Sequence, residues 1–242
     1  MPWQSNLPAL RLLLAYTLHE PSSLLPHTQI PTLLSLPLPL APSLSQAVTF
    51  PGKPKIPITI RALVLDKDNT FCPPNSTALH PAYLLKLSKI RSSPEFASNP
   101  HSILIVSNTA GSTPSPAHEA EAQLLESELQ IPVLRQNPQR KKPHCGPDVL
   151  EYFSKHGVTD NPAEIAVVGD RLATDVLLAR EMGSWSVWVR DGWRNPEMQG
   201  RDYRGWMSKM EARAERFLRG GMMYKAPLPR GFMGMRGGDE KV

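Results

Sequence analysis

The chain has 242 residues, room for one α/β domain of ordinary size with peripheral segments. Its two cysteines, Cys72 and Cys145, exclude a disulfide framework and point to a reducing compartment. The net charge of +5 is uneven: residues 1–200 hold 17 Lys+Arg against 17 Asp+Glu, whereas residues 201–242 hold 10 against 5. The excess therefore sits in a basic C-terminal region suited to an anionic surface, either membrane or nucleic acid.

Of the 26 prolines, 11 precede Ile58, which argues against regular globular structure in the first quarter. Leu10, Leu13, Leu14 and Leu18 recur near helical spacing, predicting a short amphipathic helix over residues 7–18 that lies on an apolar surface or in the core. Arg11 and the scarcity of acids before Glu20 are compatible with organelle targeting without establishing it. Residues 21–52 carry no Asp, Glu, Lys or Arg, but Pro26, Pro31, Pro37, Pro39 and Pro42 interrupt any membrane-spanning helix. Residues 1–57 are read as a Leu/Pro-rich strap, extended along the domain after the possible membrane-associated helix.

A catalytic domain is expected over residues 58–195. The apolar run from Leu63 predicts a buried strand that ends in the polar cluster Asp66-Lys67-Asp68-Asn69-Thr70. Next come a helix over Pro81–Arg91, a strand over Ser102–Val106 ending at Ser107, Asn108 and Thr109, a helix over His118–Leu129 and a short strand over Ile131–Leu134. A helix over Gly146–His156, a strand over Ile165–Val168 stopped by Gly169 and Asp170, a helix over Leu172–Met182 and a last strand over Trp185–Val189 complete it. This alternation specifies an α/β fold with a mainly parallel sheet covered on both faces. Every polar cluster falls at the carboxyl end of a strand, where such sheets bind ligands.

Residues 196–221 read as a basic amphipathic helix. Tyr203, Trp206, Met207, Met210, Ala214, Phe217 and Leu218 form one stripe, and Arg201, Arg204, Lys209, Arg213, Arg216 and Arg219 occupy the remainder. That stripe suits a membrane surface, or equally packing on the domain or on a second subunit. Residues 222–242 are read as a flexible tail.

Asp66 and Asp68 stand two apart where a strand gives way to a loop, so both carboxylates converge on one small volume, which is costly without a cation between them. An isolated D-x-D is usually a turn; here the ordered set D-K-D-N-T at 66–70, S-N-T at 107–109, K-K-P at 141–143 and G-D-R-L-A-T-D at 169–175 outweighs that. Other machinery is lacking. Neither cysteine has the Arg six positions later that a cysteine-dependent phosphatase needs, no Gly-rich loop ends in G-K-[ST], and His80, His101, His118, His144 and His156 lack metal-ligand spacing.

The ordered set resembles the haloacid dehalogenase (HAD) superfamily of phosphotransferases, over about residues 60–190. The resemblance implies a Rossmannoid three-layer fold and hydrolysis of a phosphomonoester through an aspartyl-phosphate. Asp66 would be the nucleophile, Asp68 the general acid and base, and Lys142 the neutralising cation, with Lys141 a less favoured candidate. Ser107 and the Asn108 backbone amide would hold phosphoryl oxygens. Mg²⁺ would be bound by the Asp66 carboxylate, the Asp68 backbone carbonyl and Asp170, with Asp175 as ligand or supporting acceptor. Arg171 is open between substrate and a neighbouring acid. Lys67 and Asn69 are expected to point away from the aspartates and shape the loop.

Between Thr70 and Ser107 lie only 36 residues, too few for the large cap that encloses small metabolites in many superfamily members. An open site favours a large or surface-presented substrate. The same motifs, with S-N-T-A-G-S at 107–112, I-P-V-L-R at 131–135 and L-P-H-T-Q-I-P-T at 25–32, are similar to the fungal mitochondrial phosphatidylglycerophosphate phosphatases. This implies a phospholipid substrate, an anionic membrane partner and a peripheral place on the matrix side of the mitochondrial inner membrane, on the path to cardiolipin. No nucleic-acid partner is expected, and a homo-oligomer through residues 197–221 stays open. Two alternatives remain: a capless phosphatase for a soluble or nucleic-acid phosphoester, and a non-catalytic membrane-binding scaffold.

Overall fold

The computed structural model describes residues 12, 15–48, 57–112, 115–137, 139–198, 202, 204–230 and 232. Five strands, β1 (Thr28–Ile30), β2 (Ala62–Leu65), β3 (Ile103–Ile105), β4 (Ile165–Gly169) and β5 (Trp185–Val189), form one sheet in the order β1-β5-β4-β2-β3. Every pairing is parallel. The helices that concern the site are α1 (Ala41–Val48), α2 (Pro81–Arg91), α3 (Pro116–Leu129), α4 (Gly146–Lys155), α5 (Leu177–Met182) and α6 (Trp206–Arg216).

The twofold period of a strand sends successive side chains to opposite faces, and here both faces are apolar because both are covered. Leu63, Leu65, Ile103, Ile105, Val168 and Val187 join one core with Tyr83 and Leu87 of α2 and Leu125 of α3. Ala62, Val64, Leu104, Ile165 and Val167 join the other with Val149 and Phe153 of α4 and Leu178 and Met182 of α5. This is the three-layer α/β architecture expected from the alternation of elements.

Several elements differ from expectation. The strap contributes a strand: β1 pairs with β5, Thr28 opposite Val187 and Ile30 opposite Val189. Its three residues between Pro26 and Pro31 are too short a run to show a period. Leu33, Leu36, Leu40 and Leu44 beyond it are fully buried in the first core, so the strap is part of the domain interior. Leu10, Leu13 and Leu14 lie outside the described residues; Leu18, in a helical stretch over 15–19, is exposed.

Residues 131–134 make only a bridge between Val133 and Ile105, because Pro132 has no N–H to donate. Leu172–Val176 is a π-helical turn ahead of α5, a widening often found at functional positions. The C-terminal helix begins only at Trp206. Before it, the Asp202 carboxylate accepts the Arg204 backbone N–H at 3.0 Å, a local bond that competes with helix. Residues 224–230 and 232 also run against the body rather than free of it. Arg230 N–H donates to Gly183 O at 3.1 Å, and Phe232 meets Trp185 edge-on at 5.1 Å. Residues 231 and 233–242 lie outside the described residues. Among the described residues no helix is long and apolar enough to cross a membrane.

Candidate active site

β2 and β4 are neighbours, with Leu65 opposite Val168, so the chain leaves both strands at the same sheet edge. Asp66 N–H continues the ladder to Val168 O at 2.9 Å, and Asp170 follows one residue after β4. Both carboxylates are buried at that edge, and the π-helical turn brings in a third, Asp175. Asp66, Asp170 and Asp175 each offer an oxygen, and these three atoms lie within 4.8 Å of one another. Among the described residues this is the cluster able to hold a metal ion.

Lys142 enters from the loop before α4. Its ammonium is 3% exposed, hydrogen-bonds Asp66 Oδ1 and reaches Asp175 Oδ1 at 2.7 Å. Lys141 is not part of this contact. Thr70 Oγ1 donates to the other oxygen of Asp66 at 3.0 Å, so its carboxylate plane is fixed from two sides. Asn108 accepts the Lys142 backbone N–H at 3.2 Å, joining the second cluster to the third.

Asp68 faces the opposite wall. Its carboxylate accepts Thr109 Oγ1 at 2.7 Å, Ser107 Oγ at 3.4 Å and the Asn75 backbone N–H at 3.0 Å, and pairs with Lys67 Nζ at 2.8 Å. Lys67 is wholly buried and also meets Glu121 of α3 at 2.7 Å. Lys67 therefore does not point away from Asp68: the chain turns at once after the strand, Lys67 O accepting N–H groups from Thr70, Phe71 and Cys72, and strand alternation stops. Asn69 is a second correction. At φ 58 it turns inward, donates Nδ2 to Asp170 Oδ2 at 2.6 Å and accepts the Trp193 N–H at 3.2 Å. Gly192, at φ 68, makes room, since a Cβ there would stand 2.4 Å from Asn69 Nδ2.

Burial dominates the electrostatics. It pushes the Asp66 carboxyl up to about 7, against the lowering pull of Lys142 and with further upward pressure from Asp175 and Asp68. Asp170 is raised well above the carboxylate range by burial, then by Asp66 and Asp175. Burial would lower Lys142, but Asp175 and Asp66 outweigh it and hold the ammonium charged. Three crowded carboxylates against one ammonium leave negative charge unbalanced. A hard divalent cation with all-oxygen donors fits this set. Cys72 and Cys145 are each pushed by burial up to about 12, so both stay as unreactive thiols.

These groups line a cavity of about 530 Å³. Asp66, Asp68, Asn108, Lys142, Asp170 and Asp175 face it; Ser107 lies just behind, bonded to Asp68 and Thr109. Arg171 and Thr174 of the fourth cluster form the far wall together with Gly205 and the start of α6, Trp206 to Ser208, a segment that sequence reasoning did not connect with the site. The interval from Phe71 to Val106 holds α2, β3 and connecting turns, with no cap domain.

The stripe on α6 is turned outward. The side buried on the body carries Ser208, Glu211, Ala212 and Glu215, while Trp206, Met210 and Phe217 are 60%, 54% and 62% exposed. Charged groups are buried here because each has a partner. Glu211 accepts Arg171 Nε at 3.1 Å and the Leu172 and Ala173 N–H groups, both at 3.3 Å. Glu215 pairs with Arg219, which donates to Pro26 O at 2.8 Å. Tyr203 and Arg201 lie outside the described residues.

Comparison with known proteins shows the family of the chain. The chain is 41% identical over 175 residues to a mitochondrial phosphatidylglycerophosphatase of Saccharomyces cerevisiae, covering 72% of this chain and 82% of that relative. It is 31% identical over 194 residues to a probable mitochondrial phosphatidylglycerophosphatase of Schizosaccharomyces pombe, covering 80% and 87%. A chloroplastic/mitochondrial phosphatidylglycerophosphate phosphatase of Arabidopsis thaliana is 36% identical over 128 residues, covering 52% of this chain and 33% of its own. No solved structure matches. The family model described as mitochondrial PGP phosphatase matches residues 9–194, which takes in all four motif clusters and ends before α6. The chain belongs to the mitochondrial PGP phosphatase family.

Proposed function

We propose that this phosphatase removes the terminal phosphate of phosphatidylglycerophosphate, leaving phosphatidylglycerol for cardiolipin synthesis, at the matrix face of the mitochondrial inner membrane. The observation that carries the proposal is the meeting of Asp66, Lys142, Asp170 and Asp175 in one uncapped cavity.

An Asp66 oxygen attacks phosphorus in line, forming the acyl-phosphate bond as the ester P–O bond breaks. Asp68 gives its proton to the departing alkoxide. It then takes a proton from the water that splits the aspartyl-phosphate, releasing phosphate and restoring Asp66. Lys142 balances charge on the phosphoryl oxygens, and the Asn108 amide and Ser107 hydroxyl orient them. The Asp66, Asp170 and Asp175 carboxylates, with the Asp68 carbonyl, would hold Mg²⁺, which supplies charge neutralisation at the phosphoryl group.

The outward stripe of Trp206, Met210 and Phe217, flanked by Lys209, Arg213 and Arg216, would rest on an anionic bilayer. The cavity wall at Gly205–Ser208 belongs to that same helix, so docking would place the site beside the headgroups.

The test is phosphate release from phosphatidylglycerophosphate in vesicles beside a panel of soluble phosphomonoesters, with Mg²⁺ and with chelator. Mg²⁺-dependent release with preference for the lipid is expected. Equal turnover of the soluble panel would refute the lipid assignment.

A further inference from the structure

The headgroup of the proposed lipid carries two phosphates on one glycerol: the terminal monoester that is cleaved and the phosphodiester that leads to the acyl chains. The machinery at Asp66 accounts for the first. Nothing described so far receives the second, which enters the cavity still bearing a negative charge.

The cavity is lined by two cations among the described residues, Lys142 and Arg171. Lys142 is committed, its ammonium bridging Asp66 and Asp175. Arg171 is placed differently. Its guanidinium uses only Nε in the contact with Glu211, at 3.1 Å to Oε2 and 3.4 Å to Oε1, and its terminal nitrogens take no protein partner among the described residues. Its side chain is 30% exposed and borders the cavity.

Glu211 does not neutralise Arg171 alone. Its carboxylate is shared with the Leu172 and Ala173 N–H groups, so it acts as a three-way anchor that holds the guanidinium by its inner edge. A guanidinium held this way presents its outer nitrogens as a planar fork, which matches the two free oxygens of a phosphodiester. Arg171 is one residue from Asp170 and its own N–H donates to Asp175 Oδ2 at 3.1 Å, so the fork is tied to the wall of the phosphoryl site. Trp206 and Met207 line the same wall, an apolar flank on the side by which acyl chains would leave.

We propose that Arg171 binds the phosphodiester of the substrate and that Glu211 of α6 is its positioning residue. This assignment rests on the headgroup reading above. It makes Arg171 the group that distinguishes a headgroup with two phosphates from a simple phosphomonoester.

The test uses the full chain with Mg²⁺ and two soluble probes: glycerophosphoglycerol phosphate, the deacylated headgroup, and glycerol 3-phosphate, which has the monoester alone. The wild-type enzyme is expected to favour the headgroup in kcat/KM. Arg171→Ala is expected to reduce that preference by about ten- to a hundredfold, the loss typical of a hydrogen-bonded charge contact, chiefly through KM. Arg171→Lys should recover part of it, and Glu211→Gln should lower it with Arg171 still present. A wild-type enzyme without preference, or an Arg171→Ala enzyme that loses turnover of both probes alike, overturns the proposal and leaves Arg171 as a tie between α6 and the π-helical turn. The parent reading fails separately: if the headgroup preference depends on Arg171 but phosphatidylglycerophosphate vesicles release no phosphate, the lipid substrate is wrong and the Arg171 assignment stands. Release from neither probe overturns both.

Discussion

Gly169 leaves the space that Asp175 fills: a β-carbon on Gly169 would stand 2.2 Å from Asp175 Oδ2 and 2.6 Å from its Cβ. The last residue of β4 is therefore bare so that a carboxylate six positions later can fold back to Lys142 and to the Arg171 N–H. Gly169→Ala must displace Asp175, at about 1–3 kcal/mol for overpacking in a dense site. Phosphate release should fall at least about a hundredfold, since misplacement by about an ångström has that effect. Thermal unfolding with Mg²⁺ titration checks this: Mg²⁺ is expected to raise the wild-type midpoint, and the variant should lose most of that rise.

Asp66→Asn keeps the shape of the proposed nucleophile and removes its charge. Lys142 retains Asp175, so the fold should survive while Mg²⁺-dependent phosphate release disappears. Retained turnover would remove Asp66 from the nucleophile role. Lys142→Ala, by contrast, leaves buried carboxylates facing each other and should cost about 3–5 kcal/mol without Mg²⁺. Chemical denaturation of the two variants separates these outcomes.

Asn69 orients Asp170 through a 2.6 Å hydrogen bond and is itself fixed by the Trp193 N–H. Partners behind a metal ligand typically contribute about ten- to a hundredfold in affinity. Asn69→Ala should raise the Mg²⁺ concentration for half-maximal activity by that factor, with maximal rate less affected. Titration of activity with Mg²⁺ is the measurement.

Met210 and Phe217 are exposed, and neither lines the cavity. Replacing both with Ser should weaken flotation with anionic vesicles while turnover of a soluble phosphomonoester persists. Sedimentation of the same variant distinguishes a lost membrane contact from a lost contact between subunits. If neither measurement changes, the stripe has no docking role.

His27 gives a pH dependence of stability. Its Nδ1 accepts the Ser186 N–H at 3.0 Å and its Nε2 donates to Pro227 O at 2.9 Å, so the ring sits neutral between the edge strand and the C-terminal segment. Burial, with Arg180 and Arg219 nearby, lowers it from the ordinary 6.5 to about 4. The unfolded chain takes up the proton first as the pH falls, so this contribution is complete above about 6.5 and declines towards about 4. Thermal midpoints across that window should fall more steeply for the wild type than for His27→Gln.

Local pattern was enough for the parts of the molecule that local physics governs. The apolar run Leu63–Leu65 reads as a strand whichever helices cover it, and a polar cluster after such a strand has to lie at the sheet edge. That reasoning places Asp66 and Asp170 at the edge directly, whereas Lys142 and Asp175 come only from the resemblance of the ordered motifs. It also reaches α2 and β5 residue for residue. β1 was missed because three residues between prolines show no period, and its status as a strand comes from β5 alongside.

The inner face of α6 lay beyond such reasoning for a different cause. Periodicity marks Trp206, Met210 and Phe217 as one apolar side, yet the side turned to the body carries Glu215, which is buried, and Glu211, whose side chain is 11% exposed. A carboxylate can leave water only where donors await it, and those of Glu211 lie 38 to 40 residues away on Arg171, Leu172 and Ala173. Asn69 meets Asp170 across 101 residues for the same reason. Side-chain period is a property of the chain at each point, whereas partners for buried charge exist only once distant segments have met.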